Sequence, residues 1–181
     1  MADYDPPLAR GKPPYFQSIT CYQQDIGRAT SARVNACRPF MNRNASAVWK
    51  GTLRGGAGKL TTESGVLLQT QYSYLTSFSE GIGTNPDELI AASLSGCFAM
   101  ALSNELGLCG FHPESIETTA TATLEDLAAG WTLTHMQLDV RANVPDASPA
   151  RFMAAALAAK TKSPIARLLN TTISMAARLD R

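Results

Sequence analysis

The pattern of apolar and polar positions is most informative between Gly83 and Leu106, GTNPDELIAASLSGCFAMALSNEL. Asn85 suits a helix N-cap, because its side-chain oxygen can accept a bond from an otherwise unpaired backbone N–H. Pro86 suits N1, where no donor is needed, and Glu88 falls at N3 to reach back as in a capping box. Asp87 and Glu88 put negative charge at the positive end of the helix dipole. No charge follows from Leu89 to Leu102. Leu89, Ile90, Leu94, Cys97, Phe98, Met100, Ala101 and Leu102 go round the whole helix rather than down one stripe. This predicts a helix buried on all sides, the core of the domain or of an assembly, with the Cys97 thiol in its middle. The uncharged run of 14 residues is short of the roughly 20 that a bilayer span needs.

On either side of this helix the rhythm is that of strands. AVWKGTL (47–53) reads as a first strand, and Arg54-Gly-Gly-Ala-Gly58 as a glycine-rich turn into KLTTES. Gly65 leads into VLLQTQ, and YSYLTSFS continues the β-branched and aromatic pattern. After the helix, SIETTATATLED and WTLTHMQLDVRANV form a hairpin around Leu127–Gly130. Leu133, Met136, Leu138 and Val140 nearly keep to one face of its second strand. Ser148-Pro149 starts a second helix through RFMAAALAAK, Ser163-Pro164 caps a short third one, IARLLN, and TISMAARL closes as a last strand. The sum is an α+β domain, 41–181, with mainly antiparallel sheets around a central helix. Residues 1–40 keep no such period. They read as an extended or poorly ordered arm, with Met41 a candidate initiator, or as an arm that wraps a partner subunit and buries Tyr15, Phe16 and Tyr22.

Composition narrows the function classes. A chain of 181 residues with 45% hydrophobic and 17% charged residues and a net charge of +1 fits one globular domain. Nothing in that balance favours nucleic acid or an anionic membrane as partner. The N-terminus has acids where a secretory signal has bases, so a cytoplasmic address is expected. Four cysteines, at 21, 37, 97 and 109, are too few and too irregular for a disulfide framework. With no CxxC pair and only His112 and His135, no zinc site is expected. No cofactor is expected either.

Three segments together carry a resemblance: WKGTLRGGAGKLTTESGVL, EGIGTNPDELIAASLSGCFAMALS and AAKTKSPIARLL. From about Ala45 to the end, the chain resembles the OsmC/Ohr family of thiol peroxidases, closer to the OsmC branch. The resemblance implies an intertwined homodimer, two sheets around two central helices, with an active site at each interface between subunits. It implies reduction of organic hydroperoxides and hydrogen peroxide. In the family one cysteine attacks the peroxide, a second resolves the sulfenic acid, and an arginine and a glutamate hold the first thiolate ready.

Carried onto this chain, Cys97 takes the peroxidatic position. A thiol must be ionised to attack the O–O bond, while an apolar setting opposes ionisation, so a positive partner is a chemical requirement. Where the family has glutamate, this chain has Asp87. Ten helical residues span about 15 Å, so Asp87 cannot reach Cys97 of its own helix and would act on the other subunit's site or through a bridging residue. The arginine expected in the OsmC branch falls on Ser77, which supplies no charge; Arg54, in the glycine-rich turn, is the substitute candidate. The resolving cysteine falls on Ser163, so resolution would need Cys109, an external thiol or a dithiol.

Plain structural roles stand beside these. Cys97 also reads as a small core residue, Asp87 as a first-turn acid, Arg54 as a solvated side chain and Cys109 as incidental. Trp49, Phe78 and Phe98 read as core, or as the lining of an apolar peroxide pocket. Three functional classes follow: a one-cysteine hydroperoxide reductase working through Cys97, a non-catalytic dimeric binder of apolar small molecules, and a redox sensor in which Cys97 pairs between chains or with Cys109.

Overall fold

The structure is a computed structural model that describes residues 41–78 and 81–180; the expected arm at 1–40 lies outside them. Six strands and three helices follow in the order β1 (Ala45–Lys50), β2 (Ala57–Thr62), β3 (Thr70–Tyr72), α1 (Pro86–Leu108), β4 (Ser115–Leu127), β5 (Gly130–Asn143), α2 (Pro149–Lys162), α3 (Pro164–Leu168) and β6 (Thr172–Asp180). They make two three-stranded sheets, β1-β2-β3 and β4-β5-β6. All pairings are antiparallel except β5 with β6. That parallel pair follows from α2 and α3, which carry the chain back along the sheet before β6 begins.

The helix starts obey their caps. Asn85 accepts from the backbone N–H of Glu88 at 2.8 Å, Ser148 from that of Arg151 and Ser163 from that of Ala166, each with proline next in the chain. The expected return bond of Glu88 is different: its carboxylate accepts from the Thr84 hydroxyl at 2.8 Å. Gly83 lies at φ +120, and a Cβ there would come within 2.6 Å of the Gln71 carbonyl oxygen. That close approach lets the Thr84 N–H donate to the same oxygen at 3.0 Å, tying the start of α1 to the end of β3.

The core forms on one face of β4-β5-β6. Leu94, Phe98, Leu102 and Leu106 come off α1 every fourth residue and are fully buried. They meet Met136, Leu138, Val140 and Ala142 from alternate positions of β5, and Phe152, Ala155, Ala156 and Ala159 from α2. Leu133 joins the same face although it is three residues from Met136. The register between β4 and β5 shifts at Thr123/Leu124, leaving Thr134 as the extra residue of a bulge. Glu105 is the buried charge of this layer. Both its oxygens accept from the Lys162 ammonium, at 2.9 and 2.7 Å, which joins α1 to the end of α2.

The first hairpin region departs from the expected strands. β1 ends at Lys50, where the chain turns at Gly51 with φ +95. Val66 and Leu68 are exposed loop residues rather than strand, because Thr62 and Leu67 close a turn on each other and Gln69 adopts φ +53. The segment after β3 is a short 3₁₀ turn, Leu75–Ser77. Ser73 and Thr76 exchange side-chain and backbone bonds there, at 2.8 to 3.4 Å, offering the backbone an alternative to a ladder.

Candidate functional site

Helix α1 is buried along one stripe only. The expectation of a helix buried on all sides, as the core of the domain or of an assembly, is met within one chain along this stripe alone. Opposite the Leu94–Leu106 stripe, Ser93, Gly96, Met100, Ser103 and Gly107 are exposed, Met100 by 70%. They recur every three or four residues and form a continuous face of small and apolar side chains. A Cβ placed on Gly96 or Gly107 would meet no other atom within 4 Å. By length and composition α1 could cross a membrane; its leucine and phenylalanine stripe instead packs on the sheet and α2.

Cys97 lies on the border between the two faces. At 100° per residue it follows Leu94 and precedes Phe98 on the packed side, and Gly96 and Met100 stand on its open side. Its thiol is free and half-buried rather than enclosed. Cys109 is also free, exposed, and forms the C-cap of the same helix. Twelve helical residues separate the two by about 18 Å, against the 4.4 to about 6.8 Å between Cα atoms that a disulfide needs. One chain therefore cannot pair Cys97 with Cys109 while α1 is intact.

The other site candidates are not gathered around this thiol within one chain. Asp87 is half-buried in the first turn of α1, about 15 Å along the axis from Cys97. Arg54 is exposed at the tip of the β1–β2 turn, on a sheet that has no extended packing against α1. Among the described residues, no hydrogen bond or ion pair joins any two of Cys97, Asp87 and Arg54. Ser77 closes the 3₁₀ turn, donating its N–H to the Tyr74 carbonyl. Ser163 is fully buried between α2 and α3, where it ends one helix and caps the next. No group of three His, Cys, Asp or Glu side chains among the described residues is placed to hold a metal ion.

The three aromatic candidates part company. Phe98 is wholly core. Trp49 is half-buried, donates its ring N–H to the Gly51 carbonyl at 3.0 Å and packs on Tyr72 at 5.5 Å between ring centroids. Phe78 is 42% exposed, which corrects its reading as core; it stacks between Tyr74 and Trp131 at 4.9 and 4.5 Å. That stack is not legible in the sequence, since Trp131 stands near the start of β5, more than fifty residues later.

Comparison with known proteins agrees with this architecture. The family model described as OsmC-like protein matches residues 79–177. The chain is 38% identical over 135 residues to a protein of Escherichia coli (strain K12) named Peroxiredoxin OsmC, a match covering 75% of this chain and 94% of that one. Among solved structures, an OsmC-like protein of Vibrio cholerae superposes with a TM-score of 0.63 at 16% identity, covering 77% of this chain and all of that one. The organic hydroperoxide resistance protein OhrB of Bacillus subtilis does so with a TM-score of 0.54 at 19% identity, covering 76% and 98%; both likenesses are of fold. By the family match over residues 79–177 and the identity to a peroxiredoxin, the chain belongs to the OsmC/Ohr family of OsmC-like proteins.

Proposed function

We propose that this chain is a thiol-dependent hydroperoxide reductase that works through Cys97 as a homodimer. The observation that carries the reading is the position of Cys97, at the margin of an uncovered apolar face of α1, in a chain matching nearly the whole of a peroxiredoxin. A second copy packed on that face would enclose the thiol and bring Asp87 and Arg54 of one chain toward the Cys97 of the other. Arg54, on a turn that includes Gly55 and Gly56, supplies the cation that favours the thiolate. Asp87 orients it. The apolar surroundings favour an organic hydroperoxide over hydrogen peroxide.

The reaction needs one cysteine. The Cys97 thiolate attacks the distal oxygen of the hydroperoxide, the O–O bond breaks, and the alkoxide leaves as an alcohol after taking a proton. Cys97 becomes a sulfenic acid. Ser163 cannot resolve it, and Cys109 of the same chain is out of reach. An external dithiol therefore attacks the sulfenic sulfur, releasing water and forming a mixed disulfide. Its second thiol then frees Cys97 and leaves the reductant oxidised.

The test is the rate of sulfenic acid formation with cumene hydroperoxide and with hydrogen peroxide between pH 5 and 9. We expect a fast reaction that persists below pH 7, is faster for the organic peroxide, and is lost in Cys97→Ser. A rate no greater than that of a free thiol, rising only near pH ~8.5, would remove the peroxidase reading. The fold would then serve a non-catalytic binder, as serine at 77 and 163 allows.

A further inference from the structure

A cavity that Cys97 does not line lies where the end of α2, α3 and the start of β6 meet. It measures 320 Å³ and is lined by Lys160, Thr161, Ala166, Arg167, Thr171 and Ile173. Its volume is at the lower end of the range of about 300 to 1,000 Å³ typical of small-molecule sites. No acidic side chain lines it. The two lysines in the last turn of α2 contrast sharply: Lys162 holds the Glu105 carboxylate, whereas Lys160, half-buried, has no carboxylate partner among the described residues. Arg167 has none either. The favourable field at a helix C-terminus accounts for one cation at the end of each helix. It does not account for both lining one cavity without an anion. Thr171 lies on the same wall, with its hydroxyl oxygen buried away from the cavity's open space.

We propose that this cavity is an oxyanion site that takes a phosphate group, free or as a phosphomonoester. Two cations match a dianion better than a single carboxylate, and Arg167 offers planar paired donors while Lys160 acts as a point charge. Apolar Ala166 and Ile173 leave room for a short organic group on the ester. Cys97 has no part in the site, so this proposal stands or falls independently of the hydroperoxide chemistry.

The test is calorimetric titration of the full chain with inorganic phosphate and with glycerol 3-phosphate, at low ionic strength and constant chloride. We expect saturable one-site binding, weakened about tenfold or more in Lys160→Gln and in Arg167→Gln and unchanged in Arg151→Gln, at the other end of α2. Tighter binding of glycerol 3-phosphate would identify the ester as the ligand, and tighter binding of inorganic phosphate the free ion. Absence of saturable binding, or equal weakening in Arg151→Gln, would overturn the proposal.

Discussion

The two sheets of this molecule are built to the same strand count and reach opposite ends. β4-β5-β6 closes a core within one chain: its inner face meets α1 and α2, and thirteen apolar side chains of that layer are buried. In β1-β2-β3 only Gly58 is buried, although Trp49, Leu60 and Tyr72 are large and apolar. Residue type does not separate them, since both carry β-branched and aromatic residues. What differs is the supply of an opposing surface. The second sheet receives α1 and α2 from its own chain, whereas among the described residues no helix packs extensively on the first, and the open face of α1 is likewise without a cover. Two unmatched surfaces in one chain are what two copies can satisfy together, which is why the dimer belongs to the proposed function.

The largest effect we expect falls in the layer that one chain completes. Phe98→Ala should cost about 3 to 5 kcal/mol, because the ring is fully enclosed by core residues and the surrounding elements can collapse only in part. In urea denaturation that loss should be the same in dilute and in concentrated protein. A loss that vanished on dilution would mean the core is shared between chains and would erase the contrast. The next effect concerns the open face. In the single chain a Cβ on Gly96 meets nothing, so Gly96→Ala should raise helix stability by up to about 1 kcal/mol. Gly96→Leu should instead hold two helices apart and shift the protein from dimer to monomer in sedimentation, with its helical signal intact. A Gly96→Leu protein that sediments as wild type would show that this face is not where copies meet.

How far the sequence could foretell this follows from what each signal depends on. Asn85, Ser148 and Ser163 were readable as caps because a cap is decided by the few residues after it. The inner face of β5 was readable as well, apart from the bulge at Thr134, which needs the partner strand before it can be seen. The 3₁₀ turn at Leu75–Ser77 was missed because Ser73 and Thr76 look like strand residues until they bond to each other. The covering of α1 is legible only in part, for another reason. Apolar residues all round a helix report that every side needs cover, and they do not say from which chain the cover comes. The same limit governs the site: Cys97 is marked by its segment, whereas the roles of Arg54 and Asp87 depend on a surface that one chain does not contain.

The smallest effect should appear in the sheet that lacks its own core. Trp49, Gly58 and Tyr72 stand in line across β1, β2 and β3, and the Tyr72 ring lies over Gly58. A Cβ at that position would fall 2.1 Å from a Tyr72 ring carbon, so Gly58→Ala must push the ring off the strand and away from Trp49. Overpacking of this kind costs about 1 to 3 kcal/mol in an enclosed core. Here the ring is only half-buried and can yield toward open space, which places the cost at the low end, about 1 kcal/mol. Trp49 reports the change directly once Trp131→Phe has removed the second indole. Its fluorescence should shift toward that of a solvated ring, while amide exchange in β5 stays as slow as in the parent protein. If instead β5 exchange accelerates with the Trp49 shift, the two sheets melt as one body, and the first sheet draws its stability from the core of its own chain after all.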